Sequence, residues 1–276
     1  CGKVIHFKCG KRLVSTKGLS RETRNSCPMC RAPFVHTGSK EMIERVQQWA
    51  ELGRSWAQFN LGCLYEHGKP YEHGNGVKED PMRACKLYRL AADQGHHDAQ
   101  YNLGVMYLQG RGVNQSDTLA VKYLKLSVDQ GYAQAQYALG CLYTHGTGVE
   151  HSETEAFKFF KLAADQGHHN AQFNLGNMYQ QGEGVIQSDD LSFKYYKLSA
   201  EQDVAQAQAS LGAYYNNGTG VTQSRTKARE WLTKAAKQGY EAAIEGIKML
   251  DEIEGIKTTS SSSNFTDNSI VLCSKC

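Results

Sequence analysis

Along the middle of the chain, apolar residues recur at i, i+4, i+7 and i+8. Ala99, Leu103, Met106 and Tyr107 are one such set, and this spacing gathers them on one face of a helix. Ala120, Tyr123, Leu124 and Ser127 form a second face soon after. A glycine-bearing turn, Gly110 to Gly112, separates the two. The whole order of helix, turn and helix then starts again. An Ala-Gln step marks the register at Ala99, Ala135, Ala171 and Ala207, each 36 residues after the last, with a diverged copy at Ala243. The first copy begins at Ala57, 42 residues before Ala99. The six additional residues fall in EHGKPYEHGNGV, from Glu66 to Val77. They read as a loop insertion, which a stack of hairpins tolerates because its loops lie outside the core.

The punctuation repeats with the helices. Asp80, Ser116, Ser152, Ser188 and Ser224 stand every 36 residues just before the second helix. A short side-chain oxygen there accepts a free backbone N–H of the first turn. Pro81 follows Asp80 at the first helical position, and Ser152 with Glu155 has the spacing of a capping box. Gly95, Gly131, Gly167 and Gly239 close the second helices, where a left-handed residue is usual. Asp203 takes that place once, so strain or a different ending is expected there. The Gly-x-Gly turns are not phosphate loops, since they occur in every unit, no strand precedes them, and no Gly-Lys-Ser/Thr follows.

The pattern AQYNLGVMYLQGRGV…A…LKLSVDQG, from Ala99 onward, resembles the Sel-one-like repeat, a relative of the tetratricopeptide repeat. The resemblance covers about residues 40–253 and implies an all-α fold, a right-handed α-solenoid of antiparallel helix pairs. It also implies an adaptor that holds other proteins together. Residues 41–53 fit the second helix of a preceding half-unit, and residues 241–253 fit a closing helix. Both are expected to shield the ends of the stack.

Within each first helix, residues three, six and ten places after the opening Ala fall opposite the packed face. That strip is expected to line the concave surface. Its amide and imidazole members, the candidate binding residues, are Asn60, His67, Asn102, Gln109, His145, Asn174, Asn177, Gln181 and Asn217. Amides offer both donors and acceptors, so a row of them suits the main chain of a bound peptide. The strip has no Lys or Arg, which argues against a clamp for a terminal carboxylate. Phe59, Tyr101, Tyr137 and Phe173 read as packing between repeats. The pairs His96–His97 and His168–His169 sit at a recurring loop-to-helix boundary and read as structural. No catalytic constellation stands out, which favours a non-enzymatic protein.

Composition changes this picture only at the ends. No apolar run approaches the roughly 20 residues that a bilayer-spanning helix needs. Residues 1–40 carry nine Lys or Arg against one acid, Glu22, so the net charge of +3 divides into +8 there and −5 elsewhere. This basic end reads as a solvated surface near cysteine ligands and not as a nucleic-acid footprint. The cysteines cluster at the termini, a distribution unlike a disulfide framework and suited to a reducing, intracellular compartment. Cys1, Cys9, Cys27 and Cys30, with His6, are candidate zinc ligands. CGKVIHFKC and CPMCRAPF resemble the later part of a RING finger over residues 1–36. Lys3 and His6 depart from the family's ligand order and put that site in doubt. A single site from His6, Cys9, Cys27 and Cys30 is the simpler alternative. An intact RING implies a ubiquitin-conjugating enzyme as partner and ubiquitin transfer by orientation. Residues 254–276 form a Ser-rich, low-complexity tail ending in Cys273 and Cys276.

Overall fold

A computed structural model describes residues 40–68 and 77–255. The described residues contain twelve helices: α1 (Lys40–Glu51), α2 (Ser55–His67), α3 (Pro81–Asp93), α4 (His97–Gln109), α5 (Asp117–Val128), α6 (Ala133–His145), α7 (Glu153–Asp165), α8 (His169–Gln181), α9 (Asp189–Ala200), α10 (Ala205–Asn217), α11 (Arg225–Lys237) and α12 (Glu241–Ile253). Even-numbered helices open a repeat and odd-numbered helices close it. The chain divides into two compact units, one ending at Tyr132 and the other beginning at Ala133. The proposed zinc ligands, the middle of the insertion and the Ser-rich tail lie outside the described residues.

The expected caps are formed. Asp80 accepts from the Arg83 amide at 3.0 Å, and Ser116, Ser188 and Ser224 accept from the amides of Leu119, Leu191 and Lys227 at 3.3 to 3.4 Å. Ser152 does the same for Glu155, but the box is only half made. Its own N–H donates to the Tyr143 carbonyl, and the Glu155 side chain turns to Lys158. This bond to a tyrosine carbonyl defines every hairpin: Asp80, Ser116, Ser152, Ser188 and Ser224 donate to Tyr65, Tyr107, Tyr143, Tyr179 and Tyr215. The loop carrying the insertion therefore closes on the same bond as the shorter ones. Asp203 is the one non-glycine with positive φ among the described residues, at 62°. Its carboxylate accepts from Gln208 at 3.2 Å.

In the first unit, Ala84, Cys85, Tyr88, Leu103, Met106 and Ala120 build the core. In the second, Ala156, Phe160, Leu175, Tyr195, Leu211 and Leu232 do so. Each fully buried leucine contributes about 1.5–3 kcal/mol. Helix pairs pack closely because a glycine sits where they cross. A Cβ on Gly104 would lie 2.8 Å from Leu124 Cγ, and one on Gly176 would lie 2.5 Å from the Tyr196 ring. The roughly 1 kcal/mol that a helical glycine costs against alanine is offset by that approach.

The ends are closed differently. At the start, Ile43, Val46 and Ala50 pack on Leu61 and Leu64. At the end, Ala243 and Leu250 are buried, and Arg229 bridges to Asp251 at 2.6 Å and Glu254 at 2.7 Å. Lys248 of this last helix stands 36 residues after Gly212 and is exposed. No later helix crosses it among the described residues.

Candidate functional site

The strip residues of the first unit differ in burial. Asn60 is buried, and its amide donates to the Trp56 carbonyl at 2.6 Å, within its own helix. Asn102 is half-buried, and His67 and Gln109 are exposed. The His67 ring bonds the Cys63 carbonyl through Nδ1 at 3.0 Å. A carbonyl can only accept, so Nδ1 carries the proton and Nε2 is an acceptor.

The second unit holds the larger share. His145 is exposed and bonds the Cys141 carbonyl at 2.8 Å through Nδ1. Asn174 and Asn177 are half-buried, and Gln181 and Asn217 are exposed. With its amide nitrogen turned to the Glu183 carboxylate, Gln181 donates at 2.9 and 3.1 Å. Asn217 accepts from Asn216 at 3.1 Å. Asn177 is fixed from behind: the hydroxyl of buried Tyr196 donates to its carbonyl oxygen at 2.7 Å and to that of Gln180 at 2.6 Å. Burial pushes the Tyr196 phenol up, so it remains a donor.

Tyr88 plays the corresponding part in the first unit. Its hydroxyl donates to Glu66 Oε2 at 2.5 Å and lies 3.3 Å from Cys63 Sγ. Burial drives the Cys63 thiol up to about 11 and makes it inert. Arg111 closes the network on Glu66 and Glu79.

The histidine pairs cap helices. His96 Nδ1 accepts from the Ala99 amide at 3.4 Å, and His168 Nδ1 from the Ala171 amide at 3.2 Å. Each ring stacks on an aromatic of the strip helix before it, Phe59 at 4.6 Å and Tyr137 at 4.5 Å. The aromatic series thus packs between repeats. No group of three or more His, Cys, Asp or Glu that could hold a metal occurs among the described residues.

The periodic reading passed over the glutamines. Gln58, Gln100, Gln172 and Gln208 are buried, and each donates to a carbonyl eight residues earlier, at the end of the preceding helix. Gln94, Gln130, Gln166, Gln202 and Gln238 then donate to the oxygens of Gln58, Gln100, Gln136, Gln172 and Gln208 at 2.7 to 2.9 Å. The signal was available in every Ala-Gln step and every Gln-Gly or Gln-Asp ending.

This geometry has known counterparts. The Sel1 repeat profile matches residues 57–96, 97–132, 133–168, 169–204 and 205–240, and the chain belongs to the Sel1 repeat family. A Sel1 repeat protein from Oxalobacter formigenes is 31% identical, with a TM-score of 0.69 over 80% of this chain. A protective antigen of uropathogenic Escherichia coli that displays the same repeat fold, c5321, is 29% identical, with a TM-score of 0.57 over 79%. The chain spans 61% of the first protein's length and 53% of the second's. No curated protein matches the sequence. Sel1 repeat proteins generally mediate protein–protein interaction. No helix among the described residues is long and apolar enough to cross a membrane.

Proposed function

We propose that this chain is an adaptor that binds an extended segment of a partner protein along the amide strip of the second unit's first helices. The observation that carries the reading is the run of half-buried and exposed amides within the second unit, Asn174, Asn177, Gln181 and Asn217, with no cation among them. Half-buried amides are oriented by their surroundings, so they lose little freedom on binding. A random-sequence peptide library selected on the chain tests this. Peptides that bind should lose affinity on Asn174→Ala and Gln181→Ala. Selected peptides indifferent to every strip substitution would refute the groove.

A zinc module at residues 1–36 joins the proposal on the Cys27-Pro-Met-Cys30-Arg31 motif, with Cys1, His6 and Cys9 as further ligands. Metal analysis of the chain should find chelator-sensitive zinc that Cys27→Ser with Cys30→Ser removes; equal zinc in both would dismiss the site. The second reading is a RING-type ubiquitin ligase whose repeats choose the substrate. The same motif favours it, and transfer would proceed by positioning a charged ubiquitin-conjugating enzyme. Autoubiquitination that the double Cys→Ser variant abolishes is its expected sign, and inactivity across a panel of conjugating enzymes retires it.

A further inference from the structure

The closest internal comparison singles out three residues. Residues 91–113 and 163–185 are near-copies 72 residues apart. Yet Val105 and Leu108 of the first stand where Asn177 and Gln180 stand in the second. The helix that follows makes the matching change, from Leu124 to Tyr196. An apolar triad in one copy is a polar triad in the other, and only the polar one is wired together by hydrogen bonds. Leu124 and Tyr196 are both buried, so the fold accepts either side chain at this register. Phe160 and Leu232 fill it in two further repeats. The polar version is therefore not demanded by packing.

Its chemistry is directional. The Tyr196 hydroxyl has one proton and offers it to two carbonyl oxygens, those of Asn177 and Gln180. With their oxygens turned inward to the phenol, both amides keep their N–H2 groups for the surface. Asn177 is half-buried and Gln180 exposed, and the phenol leaves both N–H2 groups unengaged. A row of free amides would serve donors and acceptors equally. This rung does not.

We propose that Tyr196 is a positioning residue of the second unit's strip. It makes Asn177 and Gln180 a donor-only rung that selects a carbonyl or carboxylate oxygen of the bound segment. The inference rests on the groove reading and gives it a polarity.

The test uses peptides selected on the chain from the random-sequence library, measured against four variants. Tyr196→Phe copies the residue at Phe160 and keeps the fold, while freeing the two amides to turn. Affinity should fall about tenfold, the equivalent of one to two hydrogen bonds. Asn177→Asp replaces the outward N–H2 with an oxygen at constant shape and should weaken binding at least as much. The triple variant Asn177→Val, Gln180→Leu, Tyr196→Leu installs the other copy's residues. It should melt like the parent and bind no selected peptide through this rung. A ligand-free readout runs beside these: the side-chain N–H2 resonances of Asn177 and Gln180 should shift and broaden in Tyr196→Phe. If peptides that need Asn174 bind Tyr196→Phe unchanged, or prefer Asn177→Asp, the inference falls and the groove stands. If Asn174→Ala and every other strip substitution leave binding untouched, the groove reading itself falls and takes this inference with it.

Discussion

Residues 91–113 and 163–185 differ at five positions: Asp98 against Asn170, Tyr101 against Phe173, Val105 against Asn177, Leu108 against Gln180, and Arg111 against Glu183. Every buried alanine, the leucine, the crossing glycine and the glutamine are the same in both. What is kept is the packing frame. What varies lies at the cap, at the half-buried aromatic, on or beside the strip, or in the turn. Arg111 reaches back to the Glu66 carbonyl and the Glu79 carboxylate, whereas Glu183 takes the amide of Gln181. One frame thus presents two surfaces, with an apolar rung and a cationic turn in residues 91–113 and a polar rung and an anionic turn in residues 163–185. Within these 23 residues the surface is rewritten without touching a buried position; the buried change that accompanies it, Leu124 to Tyr196, lies in the helix that follows.

The comparison breaks most severely at the crossing glycine. Gly104→Ala drives a methyl to 2.8 Å from Leu124 Cγ, and Gly176→Ala to 2.5 Å from the Tyr196 ring. Leucine can change rotamer, but the tyrosine is held at its far end by two amides. Overpacking costs about 1–3 kcal/mol and helix propensity returns up to about 1 kcal/mol. We expect a loss near 2 kcal/mol for Gly176→Ala and about half that for Gly104→Ala, read from denaturant midpoints. Equal losses would mean that the ring is not anchored.

The glutamines test the part of the frame that the copies share. Gln100 and Gln172 are both buried, and each bonds the end of the preceding helix and the glutamine 30 residues on. Replacing either by leucine strands a buried carbonyl, at a cost of about 1–3 kcal/mol. The two substitutions should destabilise by the same amount within error. A neutral result at either site would show that packing alone holds these junctions.

Helices, caps and register were legible in the sequence because each follows from a local rule repeated every 36 residues. The half-made capping box at Ser152 was not, because the competing acceptor, the Tyr143 carbonyl, belongs to the preceding helix. The strip was legible as a set of positions but not as a set of states. Asn60 and Asn174 share a register, yet Asn60 turns into its own helix. Asn177 depends on a hydroxyl 19 residues away. Periodicity says which face a residue occupies. Which way its amide points is decided by a side chain from another helix, and that pairing carries no local signal.

The smallest expected difference lies at the caps and depends on pH. His168 accepts the Ala171 N–H through Nδ1, so only the neutral ring can cap. Burial, with His169 beside it, holds its pKa below the ordinary 6.5. The folded protein then binds fewer protons here than the unfolded chain. The stabilisation is complete above 6.5 and is lost as the pH falls through the lowered value. The size is that of one cap, about 1 kcal/mol. Tyr137 and His169 are the titratable groups whose rings meet it. In the other copy Asp98 places carboxylate oxygens 3.8 Å from His96 Nδ1 and 3.4 Å from His97 Nδ1. Asn170→Asp should set a carboxylate beside the His168 ring, favour its protonated form and shrink this acid loss. Hydrogen exchange at the Ala171 amide of the parent and of Asn170→Asp, followed from about pH 7.5 to 5 with the intrinsic rate divided out, reads the cap directly. Protection at Ala171 that declines as fast in Asn170→Asp as in the parent would mean that a carboxylate at this position is only a surface charge.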